Sequence, residues 1–255
     1  MRNVLIICRK ELRSYFVSPV AYVLLALWGL IFGYFFWVEL GGFLKYSSEM
    51  MMSGQMYPMN INEQIIRPLL TNVAVISLFF VPLITMRLFA EEKRTGTIEL
   101  LVTSPVRDVE IIIGKWLAAV ALYCCMLLFT AVHFSFLFHY GNPDWKPLLI
   151  AYLGLLLEGG VMLAIGTFIS SITKNQIIAG ASTFAILLLL WVFGWVSSYN
   201  NATWAQVLSY MSLVDHSESF MRGVIDSKDG IFYASLIFLG LFFTARSMES
   251  LRWRS

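Results

Sequence analysis

The chain has 255 residues, 58% of them apolar and 13% charged, with a formal net charge of +2; an average soluble domain carries roughly 25% charged residues. That composition excludes an ordinary soluble fold, and the near balance of charge leaves no electrostatic footprint for nucleic acid. Six stretches of about 15 to 23 residues are almost free of charge, roughly the length a helix needs to cross a ~30 Å hydrocarbon core, and what lies between them is too little for a conventional catalytic domain.

Residues 1–18 form a basic amphipathic segment. At 100° per residue Val4, Leu5, Cys8, Leu12 and Tyr15 share one sector, while Arg2, Arg9 and Arg13 cluster on another with Lys10 nearby. The pattern predicts an interfacial helix with its bases toward lipid phosphates and its stripe toward the acyl boundary. Glu11 lies on the apolar edge and weakens that pattern. Ser18-Pro19 turns the chain into a first span that is long and lacks a small-x-small cleavage signal, so it reads as retained.

The spans fall at 20–38, 69–86, 116–138, 148–169, 177–196 and 231–245, the last lengthened to 248 by snorkelling of Arg246. The runs lack the alternation of barrel strands, and only helices satisfy every backbone group within one apolar run, which predicts an all-α polytopic membrane protein. Pro82 is expected to kink the second span. With the N-terminus inside, cytoplasmic segments hold 13 Lys and Arg and external ones five, so the positive-inside rule places both ends in the cytoplasm.

Loop 2-3, residues 87–115, reads RLFAEEKRTGTIELLVTSPVRDVEIIIGK. Thr97 can cap a short helix through Leu101, and Ser104-Pro105 supplies a second cap with Asp108 and Glu110 early in the helix that follows. Ile98, Leu100 and Leu101 then form an apolar knob between helices continuing into spans two and three, able to transmit force from a cytoplasmic partner. In a blander reading, Ile98 and Leu101 pack on the protein's own N-terminal helix. Loop 5-6, residues 199–229, is external yet rich in Trp204, Tyr210, Met211 and Phe220. Thr203 to Gln206 and Asp215 to Glu218 have capping-box spacing, which predicts two short re-entrant helices ended by Gly223.

Several residues invite chemical readings. Glu158 sits near the centre of span four, where a carboxylate costs about 2.5–3.5 kcal/mol on insertion scales; it is either a pathway carboxylate or a hydrogen-bonded packing residue beside Gly159 and Gly160. Met50, Met51, Met52, Met56 and Met59 offer thioethers of the kind that suit Cu(I), but no His or Cys joins them. His133 stands alone in span three, and Gly29 with Gly33 has the spacing of a close helix contact or dimer seam. The cysteines, Cys8, Cys124 and Cys125, make neither a disulfide framework nor a metal knuckle, and no metal is expected. A phosphate-cradling GxxxxGK[ST] is absent: Gly114-Lys115 is followed by Trp116 and preceded by Val109 where the first glycine belongs.

The chain resembles the ABC-2 family of ATP-binding-cassette transporter permeases, notably small permease subunits associated with bacterial gliding motility and, more distantly, the permease of the nitrous-oxide-reductase maturation operon. The resemblance is carried by Glu91 to Leu101 (EEKRTGTIELL), Thr103-Ser104-Pro105-Val106, Gly114-Lys115, and His216 with Arg222-Gly223-Val224-Ile225-Asp226. It implies a non-catalytic permease subunit of the bacterial inner membrane. Two such subunits, identical or paralogous, would work with two ATPase subunits that bind ATP and Mg. Gly96, Thr97, Ile98, Glu99, Leu100 and Leu101 would form the coupling helix in the ATPase groove, and Glu158, His216 and Arg222 would lie along the pathway. Residues 203–223 would be re-entrant helices, and the substrate an amphiphile, lipid or glycan exported among membrane lipids. The alternative from another class is an ATP-independent secondary transporter or channel using Glu158 as its ion or proton site.

Overall fold

The structure is a computed structural model, and it describes residues 2–53, 60–103, 106–199, 207–208 and 210–252. Met56, Met59, Ser104, Pro105 and the capping box proposed at 203–206 lie outside those residues. The described elements are helices: α1 (Arg2–Val17), α2 (Pro19–Ser53), a π-helical turn (Asn62–Ile66) running into α3 (Arg67–Thr85), α4 (Ala90–Thr95), α5 (Ile98–Val102), α6 (Asp108–Tyr140), α7 (Trp145–Ile172), α8 (Gln176–Tyr199), α9 (Leu213–Met221) and α10 (Ser227–Arg252). Six are long and apolar enough to cross a membrane. With no water in a bilayer core, helices of this length close every backbone bond internally.

α3, α6 and α7 supply most of the core, whereas α2, α8 and α10 turn most of their apolar surface outward. Buried Trp28 and Phe32 of α2 meet that core through edge-to-face rings at Phe80 (5.2 Å), Tyr123 (6.4 Å) and Phe134 (5.8 Å). Glycine sets the closest approaches. A Cβ at Gly159 would stand 2.2 Å from the Tyr123 ring, one at Gly166 2.3 Å from Thr85 Oγ1, and one at Gly154 2.4 Å from Phe220. Gly29 and Gly33 face Phe129 and His133 of α6, so this pair makes a close α2–α6 contact.

α2 continues from Pro19 to Ser53 instead of ending near residue 38. Its 35 residues measure about 52 Å at 1.5 Å each, well beyond a ~30 Å core, and Met50, Met51 and Met52 sit on its last turn. Pro82 lies inside α3, three residues before that helix ends at Thr85, and the Met86 amide still donates to the Pro82 carbonyl (2.9 Å). Much of the stripe of α1 packs on the protein itself: Tyr15 is buried, Val4, Cys8 and Leu12 are half-buried, and Leu5 is exposed. A Cβ at Gly114 would meet Ile7 at 2.8 Å and the Val4 carbonyl at 3.1 Å, so α1 lies directly along α6.

Gly159→Ala should therefore lower stability by about 1–3 kcal/mol through overpacking against Tyr123. Gly230→Ala, with nothing within 4 Å of the new Cβ, should match or exceed the parent; thermal unfolding in detergent micelles reads both.

Candidate functional site

On the face that carries α1, α4 and α5, one buried ammonium joins three elements. Lys115, on α6 and 1% exposed, donates from Nζ to Glu11 Oε1 of α1 (3.0 Å), to Glu92 Oε1 of α4 (2.9 Å) and to the Leu88 carbonyl (2.8 Å). The Phe89 ring lies beneath the ammonium, its centroid 5.2 Å away. All three protons of a lysine are thereby matched. This accounts for Glu11 on the apolar side of α1: it reaches inward to a cation, not outward to solvent.

Around this junction Tyr15 donates to the Ile84 carbonyl (2.8 Å), and the Arg87 guanidinium lies over the Tyr15 ring at 5.4 Å while its Nε pairs with Glu91 (3.1 Å). Burial, reinforced by the Glu11 charge, pushes the Tyr15 hydroxyl well above the ordinary tyrosine range. A recess of about 270 Å³ opens here, lined by Tyr15, Arg87, Glu91, Glu92, Thr97 and Lys115 among others. At the start of α6, Glu110 Oε2 takes the Arg107 amide (3.4 Å) and the Asn3 side chain (3.1 Å).

Gly96 ends α4 with φ of +75° and open space around it. A left-handed turn here favours glycine. Leu100 is 73% exposed, whereas Ile98 is half-buried against the core. Thr97 and Glu99 are exposed, and Thr97 Oγ1 meets Thr95 Oγ1 at 2.9 Å. The backbone of Leu101 is helical within α5. Among the described side chains of α5, Leu100 projects while Ile98 packs against the core.

The opposite face carries His216 and Arg222, which line one recess of about 540 Å³ together with Tyr210, Glu218 and Lys228. His216 is buried, its Nδ1 2.7 Å from Asp229 Oδ1 and its Nε2 3.0 Å from the Tyr210 carbonyl, with Phe232 stacked on the ring at 3.8 Å. Ser219 donates to the other Asp229 oxygen. Arg222 is exposed and shares Glu218 Oε1 (2.5 Å) with Arg67 at the start of α3 (3.2 Å). The cap of α9 is Ser212, whose hydroxyl accepts the Asp215 amide (3.4 Å); the helix therefore starts one turn before the Asp215 box. Gly223 ends it with φ of +78°, the Val224 and Gly223 amides returning to Ser219 and Phe220 in a Schellman motif. Partial burial pushes the Asp215 carboxyl above its usual range.

Glu158 does not line this recess. It is 2% exposed in mid-α7, and its Oε2 has no hydrogen-bond partner among the described residues. Nearby, Ser77 Oγ and Tyr123 OH are 2.9 Å apart. Among the described residues no cluster of His, Cys, Asp and Glu could hold a metal ion.

A family model described as "ABC-2 family transporter protein" matches residues 5–228. The chain belongs to that family. It is 29% identical over 147 residues to a probable multidrug ABC transporter permease, YbhR, of Escherichia coli strain K12, and equally to its counterpart in Escherichia coli O157:H7. The match covers 56% of this chain and 39% of each relative. Family and apolar helices together make this a multi-pass membrane protein of the permease type. The junction at Lys115 escaped sequence reasoning, although a lysine closing an apolar run with Glu11 on the apolar side of α1 was a usable signal.

Breaking the junction should be costly. Lys115→Met leaves Glu11 and Glu92 facing each other in a largely buried site and should destabilise by about 3–5 kcal/mol. Adding Glu11→Gln and Glu92→Gln should recover part of the loss in thermal unfolding; a single variant no worse than the combined one would contradict the assignment.

Proposed function

We propose that the chain is the membrane subunit of an ATP-driven transporter, energised by a separate ATPase that binds ATP and Mg and meets residues 96–101. The observation that carries this reading is the exposed Leu100, held on a short helix beyond Gly96. α4, which leads to it, is fixed to α1 and α6 through Lys115. An apolar side chain on a rigid outward mount suits a groove on a soluble partner.

The remaining expectations follow from that placement. The face with α1, α4 and α5 lies in the cytoplasm, both chain ends lie there, and α9 stands at the outer side of a bacterial inner membrane. A second permease, identical or paralogous, completes the passage by packing on apolar helix surface that this chain leaves outward. The cargo is an amphiphile, lipid or glycan; the word multidrug in the relatives' name fits an amphiphilic cargo.

Leu100→Asp should leave the chain's own packing intact and reduce the ATPase recovered by co-purification about tenfold, or ~1.4 kcal/mol of binding. Undiminished recovery would refute the contact. Glu158, with a carboxylate oxygen unpartnered among the described residues, favours examining the secondary-transporter alternative as well. Liposomes containing this chain alone should show no proton influx under an imposed pH gradient, read with an entrapped pH dye. An influx abolished by Glu158→Gln would instead establish that alternative.

A further inference from the structure

α4 begins without a cap of its own. Its N-cap position is Phe89, which offers no side-chain acceptor, and Leu88, Phe89 and Ala90 are buried. Amides at a helix start that cannot reach water must find another partner. They find it on a different span: Ser170 of α7, fully buried, accepts the Phe89 amide (3.0 Å) and the Ala90 amide (3.1 Å) on Oγ and donates to the Met86 carbonyl (3.3 Å). The reverse also holds. At the end of α7 the Ser171 carbonyl accepts from Lys93 Nζ of α4 and from Ser247 Oγ of α10 (3.1 Å), which places a cation where the helix dipole favours one.

The two helices therefore cap each other, and α10 joins at the same carbonyl. Along the chain, by contrast, α4 is separated from α3 by the turn at 86–89 and from α6 by residues 96–107. We propose that Ser170 is a positioning residue for coupling. With Lys93 it makes α4 an extension of α7, so that thrust on residues 96–101 reaches α7 and α10 at their ends, and not solely through the covalent path. This rests on the reading that residues 96–101 meet an ATPase.

The test uses the full chain assembled with its ATPase, carrying Cys8→Ser, Cys124→Ser and Cys125→Ser, with spin labels at Arg94→Cys on α4 and Lys174→Cys just beyond α7. The label distance distribution should be the same in the nucleotide-free and vanadate-trapped states. Ser170→Ala should make the two states differ, and Ser170→Thr, which keeps the hydroxyl, should restore their identity. A distribution that shifts on trapping without the Ser170 substitution, or a Ser170→Ala chain that behaves like its parent, overturns the proposal. A merely structural role would lower stability in both states alike. Hydrogen exchange on the chain alone decides the cap without any ATPase: the Phe89 and Ala90 amides should exchange about tenfold faster in Ser170→Ala, and unchanged exchange overturns the proposal. If the unsubstituted chain recruits no ATPase, the functional reading fails, while the exchange result still judges the cap.

Discussion

The face bearing α1, α4 and α5 depends on one buried charge. Removing an ammonium from water costs several kcal/mol even after relaxation, and a single carboxylate seldom repays that. Lys115 is surrounded instead by two carboxylates, a carbonyl and an aromatic face. The three partners come from α1, from α4 and from the turn before α4. The net gain in stability is therefore modest, but the gain in register is large: shifting α1 by one position along α6 would strand Glu11 and lift Ile7 away from Gly114. A hydrophobic seam alone would tolerate such slips more easily than a charge that needs all of its partners.

The opposite face is built on a different balance. α9 is joined to α10 by the buried His216–Asp229 pair and the Tyr233 hydroxyl bonded to the Leu213 carbonyl. It is pressed onto α7 where Gly154 admits Phe220 and Gly223 admits Pro147. Its polar link to α3 is of another kind, the solvent-exposed Arg67–Glu218 pair, and exposed pairs contribute about 0–1 kcal/mol. Glu218 also keeps Arg222 within reach, so losing Arg67 leaves no carboxylate unsatisfied. The α3–α9 boundary is thus the weaker one, and α9 travels more readily with α7 and α10.

How much of this could be read beforehand follows from the range of the forces involved. The helical class and six apolar runs were legible because each span closes its own hydrogen bonds, a local property. The end of α9 was legible because a positive φ calls for glycine at 223. The length of α2 was not, since Gly41-Gly42 and the polar residues after it read locally as a loop although the helix runs through them. Glu11 looked like a flaw in an amphipathic pattern because its partner is 104 positions away. Ser170 gave no signal, being one serine in an apolar run whose role depends on where another helix happens to begin. His216 and Arg222 line one recess, whereas Glu158 belongs to the interior of α7.

Two grips hold α4 from opposite sides, and their difference matters. Lys115 holds it through charge to α1 and α6, whereas Ser170 holds it through neutral hydrogen bonds at a helix start. A six-residue helix has too few internal bonds to keep a direction by itself; its orientation is borrowed from the long helices it touches. On the proposed reading, a push at Leu100 is passed on from α4 to the ends of α6 and α7 through these two grips. The left-handed turn at Gly96 sets the angle at which α5 leaves α4. On the proposed reading, stiffness on the bundle side of Gly96 delivers to the spans whatever displacement a partner imparts to residues 96–101.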